Sequence, residues 1–194
     1  MDLVDRERCD YLTDPERLSF EALEERCKLH MANNEIKEAK SDEINKILLE
    51  ICMMAANCFT LETLKSAPLT KSGTPRKHSY YNHPVSIWMR ESSANFEWAL
   101  EHAIELENER LYRNYKPHFS FTFIDWVVSS ISKSIVPTSK LTPFAVAISE
   151  DKKCRNIKGF ENMSPIEQYR LYYKYDKPFA KWTKREIPDW FNKL

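Results

Sequence analysis

The sequence predicts a predominantly α fold: a single compact helical domain with an acidic N-terminal helical arm. Three observations carry this. Apolar residues recur at steps of three and four in several segments. Glycine is nearly absent, Gly73 and Gly159 being the only two in 194 residues, and alternating β-branched runs are few. Capping residues followed by proline introduce two of the periodic segments. The length favours one domain, divided into an arm over residues 1–40 and a helical core over 41–194.

Each element has its own local reason. Thr13-Asp14-Pro15-Glu16 reads as a helix start, and Leu18, Ala22, Leu23 and Cys27 stripe the acidic helix that follows. Ser41 can cap a second helix to about residue 59. Its Ile44, Ile47, Leu48, Ile51, Cys52, Met54 and Ala55 are dense enough for a core. Residues 65–84 place Gly73, Pro68, Pro75 and Pro84 among polar residues, a long loop of the kind associated with function. Ser92 or Ser93 starts the clearest helix, to about residue 112. Phe96, Ala99, Leu100, Ala103, Leu106 and Leu111 form its core face. Residues 121–134 read as an amphipathic helix with Phe123, Ile124, Val127, Val128 and Ile131 inward. Residues 142–148 are short and apolar, helix or strand. Ser164-Pro165-Ile166-Glu167 combines a capping box with a first-turn proline, which predicts a helix from 165 to about 175.

Composition excludes several function classes. There is no GxGxxG and no GxxxxGK[ST], so the common glycine-rich phosphate cradles are absent. No GxSxG nucleophile elbow occurs. No apolar run reaches the ~18 residues of a membrane span. The charged start MDLVDRERCD is unlike a signal peptide. Five cysteines, with no CxxC among them, point to free thiols in a reducing compartment, so a cytoplasmic location is expected. The histidines lack paired ligand spacing, so neither a metal nor a cofactor is expected.

Zero net charge conceals an asymmetry. Residues 1–50 carry 14 acids and 8 bases, whereas residues 111–194 carry 8 acids and 15 bases. A basic C-terminal half can face an anion such as a nucleic-acid backbone. Intramolecular ion pairing between the two halves accounts for the same pattern.

Three constellations can carry chemistry. Around the start of the long helix lie Trp88, Arg90, Asn95 and Trp98. A helix N-terminus preceded by an arginine suits an anionic ligand. The two indoles offer a base-stacking surface, worth ~1–3 kcal/mol per base, although core burial is their commoner fate. Along the same helix Asn95, Trp98, His102, Glu105, Glu109 and Arg113 fall within a stripe roughly 80° wide. Such a stripe suits a polar pocket, and equally an ordinary flank with i,i+4 pairs. Glu97, Glu101 and Asn108 read as solvated. Glu109, Arg113, Lys116 and His118 can together hold a phosphate and move a proton. Arg170, Tyr173, Lys184 and Arg185 belong to a C-terminal run of interleaved aromatic and basic residues that fits nucleic-acid contact.

Four ordered blocks then identify a resemblance. They are Asn82-His83-Pro84 with Trp88, Arg90-Glu91-Ser92, Asn95 and Trp98; Glu109 with Tyr112-Arg113, Lys116 and His118; Thr142-Pro143-Phe144-Ala145; and Tyr169-Arg170 with Tyr172-Tyr173, Phe179-Ala180, Trp182, Lys184-Arg185, Pro188 and Trp190-Phe191. Over residues 42–192 the chain resembles a family of mostly uncharacterised proteins from phages, large viruses and archaea. The layout is distantly similar to phage pyrimidine-dimer DNA glycosylases, small α-rich enzymes in which a glutamate assists attack at the sugar C1′.

That resemblance implies Glu50 as the candidate carboxylate and Arg90, Arg113, Lys116, Arg170 and Lys184 as phosphate grips. It also implies Trp88 or Tyr173 as support for an unstacked base. Members of the family start with a strand and a histidine-bearing segment. This chain has the acidic arm there, with Glu43 at the histidine's place.

The leading functional expectation is therefore a DNA-acting enzyme of base-glycosylase type. Catalytic duty is expected of Glu50, Glu109 and His118, and Asn95 and Arg185 join the binding set. One alternative is a viral nucleotide-binding or sequestering protein acting against host defence without catalysis, in the host cytoplasm. Another is a helical partner-binding protein, with the arm as the interface of a homo-oligomer. No membrane partner is expected.

Overall fold

The computed structural model describes residues 42–177, residue 187 and residues 189–193. The predicted arm, its helix start at Thr13, the Ser41 cap, Lys184 and Arg185 lie outside the described residues. Seven α-helices occur among the described residues: α1 Asp42–Ala55, α2 Leu61–Leu64, α3 Pro84–Glu91, α4 Ser93–Tyr112, α5 Phe121–Ser129, α6 Pro165–Asp176 and α7 Asp189–Lys193. No strand occurs among the described residues, and the fold is predominantly α as the sequence predicts. No helix among them is long and apolar enough to cross a membrane.

Local chemistry explains the helix ends. The His83 imidazole accepts the Val85 N–H and Pro84 opens α3. The Ser92 hydroxyl accepts the Ala94 N–H at the start of α4. At its other end Asn114 takes φ 67°, a left-handed conformation that asparagine tolerates, and the chain turns away. Ser164 and Glu167 close the expected capping box at α6.

Helix α4 is the spine of the domain: α1, α3 and α5 pack on it. The main core gathers Leu48, Cys52 and Ala55 of α1, Phe96, Ala103 and Leu106 of α4, and Phe123, Ile124 and Val127 of α5. Phe59 sits among these elements with its ring 5.1 Å from that of Trp126. Each fully buried side chain of this size stabilises the fold by ~1.5–3 kcal/mol. A smaller second core holds Ile148, Cys154, Phe160 and Leu171 beneath α6. There the Asp176 carboxylate accepts the N–H groups of Lys153 and Cys154 at 2.8 and 2.9 Å, closing the start of a 3-10 turn.

The structure corrects four expectations. The segment around Arg90 contains two helices, with Ser92 as the single residue between α3 and α4. The helix expected over 121–134 stops at Ser129 and resumes as a 3-10 turn, Ile131–Lys133. Val127, Val128, Ser129 and Ser130 are weak helix formers, and the Ser129 hydroxyl bonds back to the Asp125 carbonyl. Val128 faces solvent, and Trp126 packs on the core in its place. Residues 142–148 form neither helix nor strand. Side chains hold them instead: the Tyr169 hydroxyl donates to the Ala145 carbonyl and accepts the Ala147 N–H.

Candidate functional site

The polar stripe of α4 is mostly covered by protein. Asn95, Trp98, His102 and Glu109 are buried, and Glu105 alone is exposed. The Asn95 carboxamide donates to the Trp88 carbonyl and the Thr142 hydroxyl, both at 2.8 Å, and accepts the Thr142 N–H at 2.9 Å. Trp88 and Trp98 meet edge to face at 5.7 Å, and Phe144 lies 4.6 Å from Trp98. Each tryptophan is only 4% exposed. The stacking surface expected of these indoles is thus occupied by other rings of the same chain. Asn95 serves as a clamp rather than a ligand contact.

At the far end of α4 a charge network closes the helix. Glu109 and Arg113 pair at 2.8 Å, with side chains 0% and 6% exposed. Beside them Glu107 accepts from Arg110 Nε at 3.0 Å and from the His118 N–H at 2.7 Å. Arg110 reaches on to Asn45 of α1 and to the Lys116 carbonyl. The turn over residues 113–120 is thereby fastened to α1 and α4. Neither Glu107 nor Arg110 is singled out by the sequence reading, although their i,i+3 spacing is the signal that finds them.

The candidate catalytic groups are each engaged with their own neighbours. Glu50 pairs with Lys46 at 3.8 Å with its side chain 40% exposed. It lies on a partly open side of α1, where a helical i,i+4 pair contributes little. His118 accepts the Ser120 N–H through Nδ1. Burial, with the Arg110 and Lys71 charges beside it, holds its pKa below the usual value, so the ring is neutral at pH 7. Tyr173 is buried with Trp190, and Arg170 is half-buried, 5.7 Å over the Trp190 ring. Lys116 is exposed.

Arg90 stands three residues before the start of α4, but its side chain does not serve that helix end. It lies in the last turn of α3 and turns back: Nη1 donates to the Tyr81 carbonyl at 2.8 Å, and the guanidinium lies 3.6 Å over the Tyr81 ring. The N-terminus of α4 is filled too, since the Ser93 N–H donates to the Pro137 carbonyl.

The loop over residues 65–83 is anchored along its length. Arg76 donates to the Pro68 carbonyl and lies 4.0 Å over the Phe123 ring. His78 Nε2 is 2.9 Å from the Phe59 carbonyl. The buried Asn57 donates to the Ser79 carbonyl and to the Ser86 hydroxyl, each at 2.7 Å, and accepts the Ser79 N–H.

Two carboxyls depart from expectation: Glu97, read as solvated, is half-buried, and burial raises its pKa. Glu101, read as solvated, is half-buried, and burial, then Glu97 and Glu105 on the same helix, push its pKa up to about 7. Burial likewise holds Cys52 and Cys58 at about 12, so these free thiols stay protonated and act as small apolar groups. No group of His, Cys, Asp and Glu suited to a metal occurs among the described residues. No protein-family model, no curated protein and no solved structure matches the chain.

Proposed function

We propose that this protein binds DNA through a face built from two stretches of chain that lack acidic residues. Residues 63–90 contain five Lys or Arg and no Asp or Glu, and residues 110–124 contain three and none. What carries the reading is their juxtaposition. Arg76 of the first lies over Phe123 of the second, and the Lys71 charge acts on His118. Arg76, Arg90, Arg110 and Arg113 hold protein groups, whereas Lys71, Lys77 and Lys116 are exposed. Three exposed lysines on stretches that hold no carboxylate of their own favour a polyanion, because phosphate contacts release bound counterions.

A base-excising step of glycosylase type is the second reading. Glu101 favours it: a half-buried carboxyl with a pKa near 7 can give a proton to a departing base at neutral pH. The motif resemblance points to the same chemistry with Glu50 as its carboxylate, and Glu101 lies outside the matching blocks.

Titration of a fluorescent oligonucleotide at increasing salt tests the binding. Binding that weakens with salt is expected. In a Lys71→Ala, Lys77→Ala, Lys116→Ala variant the log–log salt slope should fall by about 2 for single strands. Absence of binding at about 50 mM salt would sink the reading. Full competition by a mononucleotide would replace it with nucleotide sequestration. Alkali-labile breaks in damaged or modified DNA, lost in Glu101→Gln, would establish the excising step.

A further inference from the structure

We infer that Tyr80 and Tyr81 form a stacking platform for an unpaired nucleobase of a single DNA strand, an assignment that rests on the DNA-binding reading above. The two tyrosines are 55% and 49% exposed and adjacent in the loop that leads into α3. Large neighbouring aromatic rings left in water mark an interaction surface.

The backbone under both rings is held, and so is the Tyr81 ring. Ser79 on one side is bonded twice to Asn57, and on the other side the His83 N–H donates to the Tyr80 carbonyl at 2.9 Å. Arg90 clasps Tyr81 twice, through its carbonyl and across its ring. Tyr80 itself has φ 51°, a left-handed backbone that a bulky side chain rarely adopts. Surrounding anchors sustain that conformation, and such strain is retained where it presents a group for use.

The charge around the rings selects the partner. They sit inside the acid-free stretch 63–90, beside Lys77, so a polyanion with an aromatic face fits better than an uncharged or basic surface. Bases in a duplex present edges to the grooves and keep their faces stacked. Only an unpaired base offers a face to a tyrosine, and every base has one, so the contact tolerates sequence. Arg90 acts as a positioning residue: it fixes Tyr81 instead of gripping phosphate, and the stacking role moves from the buried Trp88 to these rings.

The test compares oligothymidine with a duplex of equal length on the full chain and on a Tyr80→Ala, Tyr81→Ala variant. Single-strand affinity should fall about tenfold or more in the variant. Duplex affinity should change by less than about twofold, since it rests on phosphates. The corresponding Tyr→Phe pair should bind as the parent does. Emission of 2-aminopurine in the strand should be quenched on binding the parent and not on binding the alanine variant.

Equal single-strand affinity for parent and alanine variant overturns the platform while leaving DNA binding intact. No affinity of the parent for any strand overturns both. Tyrosine-dependent binding of a polyglutamate peptide, without such dependence for oligothymidine, assigns the surface to an acidic protein and overturns the platform. The alanine pair also loses the Arg90 contact with the Tyr81 ring, so its melting temperature should fall by a few degrees, and a Tyr80→Ala single variant, which keeps that contact, separates lost stacking from lost fold.

Discussion

Asn95 and Thr142 exchange two hydrogen bonds, at 2.8 and 2.9 Å, and so pin an irregular segment to the first turn of α4. The third bond, from Asn95 to the Trp88 carbonyl, ties in the end of α3. Asn95→Ala leaves three polar groups without their partner in a largely buried place. A loss of about 2–4 kcal/mol is expected, lowering the melting temperature by about 5–15 °C. Thr142→Val removes one of these bonds only and should cost about 1 kcal/mol. A melting temperature unchanged in Asn95→Ala would refute the clamp.

The Glu109–Arg113 pair is the most deeply buried charge pair among the described residues. Arg113→Ala takes the guanidinium from a carboxylate with no exposed surface, and a loss of about 3–5 kcal/mol is expected in denaturant titrations. Glu109→Leu combined with Arg113→Leu should restore part of that, because the buried carboxylate is then gone as well. Purely additive losses across the cycle would mean that the two groups do not act as a pair.

Glu101 makes stability depend on pH in a defined direction. Its folded pKa, about 7, lies above the ordinary carboxyl value of 4.5, so the folded protein holds a proton that the unfolded chain releases. Its contribution is complete below the ordinary value and is lost as pH rises through about 7. Glu101→Gln should therefore melt close to the parent at pH 5 and above it at pH 8, by a few degrees. Comparing variant with parent removes the opposite trend of His118, whose lowered pKa means stability is lost on acidification below its ordinary value of 6.5. A difference independent of pH would show that Glu101 ionises as it does in water.

Much of the fold is legible in the chain itself, for local reasons. Ser92 and the apolar period of Phe96, Ala99, Leu100 and Ala103 define α4, and the Ser164 capping box defines α6. Helix α3 is missed because two turns containing Ser86 and Arg90 resemble a loop end, and nothing local separates it from α4. The fate of Trp88, Asn95 and Trp98 is hidden for a different reason. What covers them, Thr142 and Phe144, lies more than forty residues away along the chain. Arg90 is misread because its partner, Tyr81, sits in a loop without periodicity. The half-burial of Glu97 and Glu101 has no counterpart in sequence spacing, since Asn108, read on the same face, is exposed.

Ser92 carries a consequence for how such a chain can change over generations. It alone separates α3 from α4, and its hydroxyl is shared among the Ala94 N–H and the carbonyls of Ser139 and Lys140. One residue added there would swing α3 by about 100° about its axis and carry Trp88 and Arg90 away from their partners. By contrast, the turn closed by the Gly73 N–H on the Thr70 carbonyl is exposed and touches neither core. Homologous chains should therefore differ in length near residue 73 and keep the register between Arg90 and Asn95 unbroken, even where the residues themselves have drifted.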